Sequence, residues 1–194
     1  MRMEEGCLPH DLMEDLSLHI LDVAENAITA GAENISIVVQ EDVARDLLTI
    51  EITDDGKGMG EDALEKASDP FYTTRTTRKV GLGLALLKEA AAMANGQVDI
   101  RSAPNRGTTV RATFQLSHID RKPLGKMADT ITALLATRSD INISYRHERE
   151  GGVLQFDTKE LKRRLDGLPL NTVRTLSFLN KYLNQEEDNL SHHV

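Results

Sequence analysis

Residues 21–32 read LDVAENAITAGA, residues 52–60 read ITDDGKGMG, and residues 69–87 read DPFYTTRTTRKVGLGLALL. Leu12, Leu16, Ile20, Val23 and Ala27 recur at helical spacing, so the first stretch lies on an amphipathic helix from about Asp11 to Ala30, with Gly31 as its stop. Leu48, Ile50 and Ile52 alternate with Thr49, Glu51 and Thr53, giving a half-buried strand that delivers Asp54 at its end. Leu84, Leu87, Ala91 and Ala94 mark another helix, which begins directly after Gly81-Leu82-Gly83 and closes at Asn95-Gly96. The order is helix, strand, glycine turn, polar segment, glycine turn, helix.

Working outward, Ile35 to Val39 reads as a strand and Glu61 to Ser68 as a short helix. Val98 and Ile100, then Val110, Ala112, Phe114 and Leu116, alternate with polar residues on either side of Pro104-Asn105-Arg106-Gly107. This is a hairpin with one face covered by helices. Pro123 marks a seam near residue 120. Beyond it, Leu124, Met127, Ala128, Ile131, Leu134 and Leu135 form a helical stripe. Ile141, Ile143 and Tyr145 suggest a strand, which turns at Gly151-Gly152 into Val153 to Phe156. Asp157 starts a helix, with Glu160 placed for a capping box. Asn171 caps the last helix, which runs through Leu183, and the polar residues from about Gln185 fray. The expected organisation is one unit over 1–118 and a small α/β extension over 119–194.

Bulk properties exclude several classes. A net charge of −8 argues against a general nucleic-acid binder, which needs Lys and Arg to neutralise phosphates. No apolar run approaches the roughly 18 to 20 residues that span a bilayer, and the acidic start MRMEEGCLPHD is no signal peptide. With Cys7 as the single cysteine, an internal disulfide is impossible. A cytoplasmic location is the expectation. His19, His118 and His147 show no metal-ligand spacing, and His10 reads as a surface residue.

The chemistry-bearing residues concentrate in the three opening stretches. Asp22, Asn26 and Thr29 share a helix face through i, i+4 and i+7 spacing, opposite the apolar stripe. An Asn amide oxygen is a neutral, hard ligand suited to magnesium already held by phosphates. Asp22 can order or deprotonate a water nearby. Asp54, at a strand end, can accept a hydrogen bond from an adenine amino group, where guanine would present a carbonyl. Gly56 and Gly58 let backbone approach the base. Gly81, Leu82, Gly83 and Leu84 open a helix whose free N–H groups suit phosphates. A dinucleotide fold would need a strand entering this turn and a glycine at Leu86, and the Walker lysine pattern is missing. Thr74, Arg75, Arg78 and Lys79 belong to a cationic segment without core residues, able to act as a lid over a triphosphate, anchored by Phe71 and Tyr72. Each feature alone has an ordinary explanation. Their order and gaps point to a pocket for ATP with magnesium.

Residues 11–117 resemble the ATP-binding domain shared by sensor histidine kinases, DNA gyrase B, the Hsp90 chaperone and MutL. By that resemblance Asn26 is the magnesium ligand, Asp54 the adenine-binding carboxylate, Gly81 and Gly83 line the phosphates, and Thr108 lies beside Asp54 near the base. The stretch DPFYTTRTTRKVGLGLALLKEAAAMANGQVDIRSAPNRGTTVRATFQL is most similar to a histidine kinase. The fold implied is a two-layer α/β sandwich, a mixed sheet covered on one face by helices. Periodicity alone gives only α+β.

Two positions depart from the pattern. Thr29 stands where histidine kinases usually carry a phosphate-binding Lys, and Asp22 stands where hydrolysing relatives carry Glu. About ten residues before the first helix cannot supply a dimerisation segment with a phospho-acceptor His. The resemblance therefore implies an ATP-binding regulatory protein acting as a kinase on a separate partner, with Asp22 or Glu25 assisting the incoming hydroxyl. The alternatives are an ATP-dependent switch that transfers nothing, and a slow ATPase. FDTKELKRRLDGLPLNTVRTLSFLNKYL loosely resembles the tails of short kinase-like proteins associated with iron–sulfur hydrogenases, which points to a redox-enzyme partner. The stripe at Leu124 to Leu135 either packs on the domain or makes a homodimer.

Overall fold

The computed structural model describes residues 15–68, 82–165 and 169–192. Helix α1 (Leu16–Thr29) starts without a side-chain cap. Its first N–H groups are satisfied instead by the chain beyond residue 120: Leu16 N donates to Pro123 O at 2.9 Å and Ser17 N to Leu124 O at 2.7 Å. Its end is a Schellman turn at Gly31, with Ala32 N bonded to Ala27 O and Gly31 N to Ile28 O, both at 3.0 Å.

Strands β1 (Asn34–Asp42) and β2 (Leu47–Asp54) form an antiparallel pair. Helices α2 (Glu61–Ser68) and α3 (Leu82–Met93) follow, then the hairpin β3 (Gln97–Ser102) and β4 (Thr108–Gln115). Helix α4 (Met127–Thr137), strands β5 (Asn142–Arg149) and β6 (Gly152–Asp157), and helices α5 (Thr158–Arg164) and α6 (Val173–His192) complete the described chain. The six strands make one sheet in the order β3-β4-β2-β1-β5-β6. It is mixed because β5 lies parallel to β1 while every other neighbouring pair is antiparallel.

The register explains the layering. Ile37, Ile52, Val110 and Tyr145 are aligned across four strands and all are buried. They meet Leu16, Ile20, Ala24 and Ala27 of α1, Leu87 and Ala91 of α3, and Met127, Ile131 and Leu135 of α4 in one hydrophobic core. Each fully buried Leu or Ile contributes roughly 1.5–3 kcal/mol. The alternate residues form polar rows on the other face. One row runs Thr109, Thr53, Ser36, Ser144, and the next runs Asp99, Arg111, Glu51, Val38, Arg146. The fold is therefore an α/β sandwich with helices packed on one face. Residues beyond 118 extend the same sheet, since β5 and β6 add to the free edge of β1.

Three local expectations are corrected. The last helix does not stop near Leu183: α6 continues to His192, because Leu190 is buried and Glu187 has partners in the sheet. Thr172 rather than Asn171 caps it, accepting from Thr175 N at 3.2 Å. At α5 the Asp157 carboxylate accepts from Lys159 N at 2.6 Å, while Glu160 pairs with Arg164 instead of closing a capping box.

Two histidines without metal spacing lie in the interior. His147 is flanked by two carboxylates: Nδ1 is 2.8 Å from Glu187 Oε2 and Nε2 is 3.2 Å from Glu41 Oε1. Tyr145 donates its hydroxyl to the same Glu187. Burial works to lower the His147 pKa, but the bonds to Glu187 and Glu41 outweigh it and raise it to about 9. His19, on α1, is fully buried with no hydrogen-bond partner for either ring nitrogen among the described residues. Burial first, and the Lys122 charge second, lower its pKa to about 4.

The two act on stability with opposite sign. His19 contributes above its ordinary 6.5, and that contribution is lost as pH falls from 6.5 towards 4. His147 contributes fully below 6.5 and loses its contribution as pH rises towards 9. Protonating His19 costs on the order of 3 kcal/mol. The melting temperature plotted against pH should therefore fall on both sides of 6.5. His19→Leu should flatten the acid side alone; an unaltered acid side would assign that loss to other groups.

Candidate functional site

Asp54 ends β2 at the point where the chain turns under the C-terminus of α1. It is half-buried, and its Oδ1 accepts from Gly56 N at 2.8 Å. Burial raises its pKa, and the N–H groups of Gly56 and Thr108 offset this only in part. Thr108 is its register partner on β4, so the two residues lie side by side in the sheet.

The glycine turn after Asp54 is fastened at several points. Lys57 N donates to Ala30 O at 3.0 Å, at the end of α1, and Asn105 N donates to Lys57 O at 2.7 Å. Met59 N donates to Ser102 Oγ at 2.8 Å, and that hydroxyl lies 2.9 Å from Gly107 O. Gly58 has φ +62, and a Cβ there would stand 2.0 Å from Ala103 O. Gly107 has φ +73, and a Cβ would stand 1.8 Å from the carbonyl oxygen of Asp54. Two glycines thus bring two backbone segments, the turn after β2 and the turn between β3 and β4, into contact beside one carboxylate, an approach that no side-chain-bearing residue permits. Gly56 is buried between Asp54 and Ala30.

On α1, Asp22 and Asn26 are half-buried whereas Glu25 and Thr29 are exposed. The Thr29 hydroxyl is bonded to its own helix, donating to Glu25 O at 2.9 Å. The first turn of α3 comes up against Asp22. A Cβ on Gly83 would lie 2.8 Å from Asp22 Cβ and 2.9 Å from its Oδ2. Leu82 is the first residue of α3, and Leu84 is half-buried against the core. The structure thus brings together Asp22 and Gly83 on facing helices, and Asp54, Gly56, Gly58 and Thr108 around the β2 end. Thr74, Arg75, Lys79 and Gly81, with the rest of the expected lid, lie outside the described residues.

Sequence reading missed the residues that hold the turn. Asp55 is the main one: its Oδ1 accepts from the N–H groups of Glu33 and Asn34, both at 2.8 Å. Burial would raise its pKa, but the bonds from Asn34 and Glu33 outweigh it and lower it. The doubled acid in DDGKG was the available signal, since two adjacent carboxylates on a sharp turn need separate partners. Ser102 and Asn34 carried no periodic signal at all.

A model of the family described as "Histidine kinase-, DNA gyrase B-, and HSP90-like ATPase" matches residues 13–118, more than half of the chain. The chain belongs to that family. It carries the ATP-binding domain that defines the family, with the histidine-kinase-like branch favoured by its relatives. The sensor protein kinase FleS of Pseudomonas aeruginosa is 37% identical over 110 residues, covering 57% of this chain and 27% of FleS. The non-motile and phage-resistance protein of Caulobacter vibrioides is 34% identical, over 53% of this chain and 13% of its own length. The sensor histidine kinase YxdK of Bacillus subtilis is 33% identical, over 56% and 36% respectively. The chain thus spans about a third or less of these curated relatives.

The crystal structure of the N-terminal domain of a DNA repair protein shares the fold. Its TM-score is 0.51 at 18% identity, covering 74% of this chain and 52% of that one. The Asp54 turn and the α1–α3 contact, both within the matched residues 13–118, are the parts of the candidate site that the described residues display. Among those residues, no helix is long and apolar enough to cross a membrane.

Proposed function

We propose that the chain binds Mg-ATP between α1, α3 and the Asp54 turn and transfers the γ-phosphate to a separate partner protein. The observation that carries this reading is the half-buried Asp54 carboxylate, held by the Gly56 and Thr108 N–H groups at the end of β2. It is an acceptor with one polar face committed to backbone, suited to an exocyclic amino group and hostile to a carbonyl. The turns at Gly56, Gly58 and Gly107 keep side chains away from that carboxylate.

Bound ATP would supply an electrophilic phosphoryl group. Asn26 would offer its amide oxygen to magnesium. Among the described residues there is no cluster of three or more His, Cys, Asp or Glu able to hold a metal. The ion would therefore take most of its ligands from phosphate oxygens and water. Gly83 leaves room for the Asp22 carboxylate beside the first turn of α3. Asp22 there, or the exposed Glu25 one turn before Thr29, would accept a proton from an incoming hydroxyl. Arg75 and Lys79 are proposed to close over the phosphates, and the region 119–194 to meet the partner in the cytoplasm.

Incubating the purified chain with γ-labelled ATP and magnesium over an array of proteins from the same source tests this. Label should appear on one or a few acceptors and fall by about 100-fold or more with Asn26→Ala. Transfer that survives in Asn26→Ala would refute the metal assignment. No label with the wild type would favour the second reading, a nucleotide-dependent switch that transfers nothing. That reading draws on the sheet continuing from β1 into β5, which joins the nucleotide pocket to the extension. It requires the partner's affinity to differ between the ATP and ADP forms.

A further inference from the structure

Asp55 stands between Asp54 and Gly56, yet its carboxylate belongs to another structure. Besides the backbone N–H groups of Glu33 and Asn34 on its Oδ1, its Oδ2 accepts from Asn34 Nδ2 at 2.5 Å. Asn34 Oδ1 in turn accepts from Asn142 Nδ2 at 3.2 Å. Asn142 Oδ1 accepts from Lys162 Nζ at 3.1 Å. The remaining N–H groups of that ammonium go to Asp140 O and Ile141 O, both at 2.8 Å. Four side chains from four places, the turn after β2, the first residue of β1, the first residue of β5 and α5, form one continuous chain.

The chain has a single direction, set by its ends. A carboxylate only accepts and an ammonium only donates. Asn34 must therefore turn its NH2 to Asp55 and its oxygen to Asn142. Asn142 must turn its NH2 to Asn34 and its oxygen to Lys162. Every donor points from Lys162 towards Asp55, so cation and anion polarise the two amides in the same sense and each bond strengthens its neighbours. Asn34 and Asn142 are also register partners in the parallel β1–β5 pair, which fixes their spacing.

We propose that Lys162 is a positioning residue of the nucleotide site, acting through Asn142 and Asn34 on Asp55. The region beyond residue 118 thereby sets how firmly the Asp54 turn is held. Lys57 to Ala30, Asn105 to Lys57 and Met59 to Ser102 hold the far side of the turn, while Asp55 ties it to Asn34 of β1 through its carboxylate and through its own N–H, which donates to Asn34 O at 3.4 Å. The proposal rests on reading Asp54 as the adenine-binding carboxylate.

The test uses the full chain with Lys162→Met, Asn142→Ala and, as a charge control on the same helix, Lys159→Met. Amide exchange is followed at Glu33 and Asn34, whose N–H groups Asp55 accepts, and ATP affinity is measured by titration. Lys162→Met and Asn142→Ala should each speed exchange at those two amides, and weaken ATP, by about three- to tenfold. Lys159→Met should change neither. In an Asp55→Asn background the Lys162→Met effect should shrink to less than about twofold, because the chain is already broken. Unchanged exchange, or the same factor in both backgrounds, overturns the proposal and makes Lys162 an ordinary structural residue. A wild type that binds no ATP would strike the reading of the pocket, while the exchange result still decides what Lys162 holds.

Discussion

Asp54→Asn is expected to weaken ATP by about 100-fold or more while the melting temperature stays level or rises slightly. The substitution keeps the shape and an oxygen for Gly56 N, but it can place an NH2 where the adenine amino group needs an acceptor. Fold stability should not suffer, because burial disfavours the Asp54 charge in the folded protein, as its raised pKa records. Binding and stability therefore move apart, which separates a lost contact from a lost fold. Calorimetric titration together with a melting scan reads both. A loss of affinity under about fivefold would mean that the carboxylate does not contact the base.

Gly107→Ala should do the opposite and damage fold and pocket together. The new Cβ would lie 1.8 Å from Asp54 O, at φ +73, and 2.7 Å from the Asp54 carbonyl carbon. None of those atoms is a flexible side-chain end that could move aside. Relief requires the β3–β4 turn to lift away from the end of β2, and a destabilisation of about 4 kcal/mol or more is expected. Any folded protein that remains should bind ATP poorly, since the displaced turn runs directly into Thr108, the register partner of Asp54. A variant with wild-type melting and affinity would show that the close contact of the two turns at Gly58 and Gly107 is not what shapes the site.

Legibility in the sequence followed the range of the interactions. Alternation in LLTIEITD and VRATFQL, and the helical stripe through Leu16, Ile20, Val23 and Ala27, report one-sided burial within a few residues, so these elements could be read directly. Which edge β5 would join could not. Nothing in NISYRHER distinguishes pairing with β1 from a separate sheet; the match appears only when Ile143 and Tyr145 meet the same core face as Ile35 and Ile37. The end of α6 failed for a related reason. NQEEDNL is polar enough to look like a frayed tail, and its order comes from Glu187 reaching Tyr145 and His147 across the sheet.

The site divided in the same way. Asp54, Gly56 and Gly58 were marked as a strand-end acid followed by glycines, in the company of the two other motifs, and Thr108 was marked only through the family resemblance. Asp22 and Gly83 were each marked separately, but their contact across two helices was not visible until the chain was folded. Asp55, Asn34, Asn142 and Lys162 are ordinary surface types, and their bonds cross separations such as 21 and 108 residues that leave no periodic trace.

Titration of the purified wild-type chain with ATP and with GTP, both in magnesium, tests the central claim most directly. The account predicts saturable binding of one ATP per chain and GTP at least about 100-fold weaker, because a carbonyl would face the Asp54 carboxylate. Equal binding of the two nucleotides, or no heat with ATP, would contradict it.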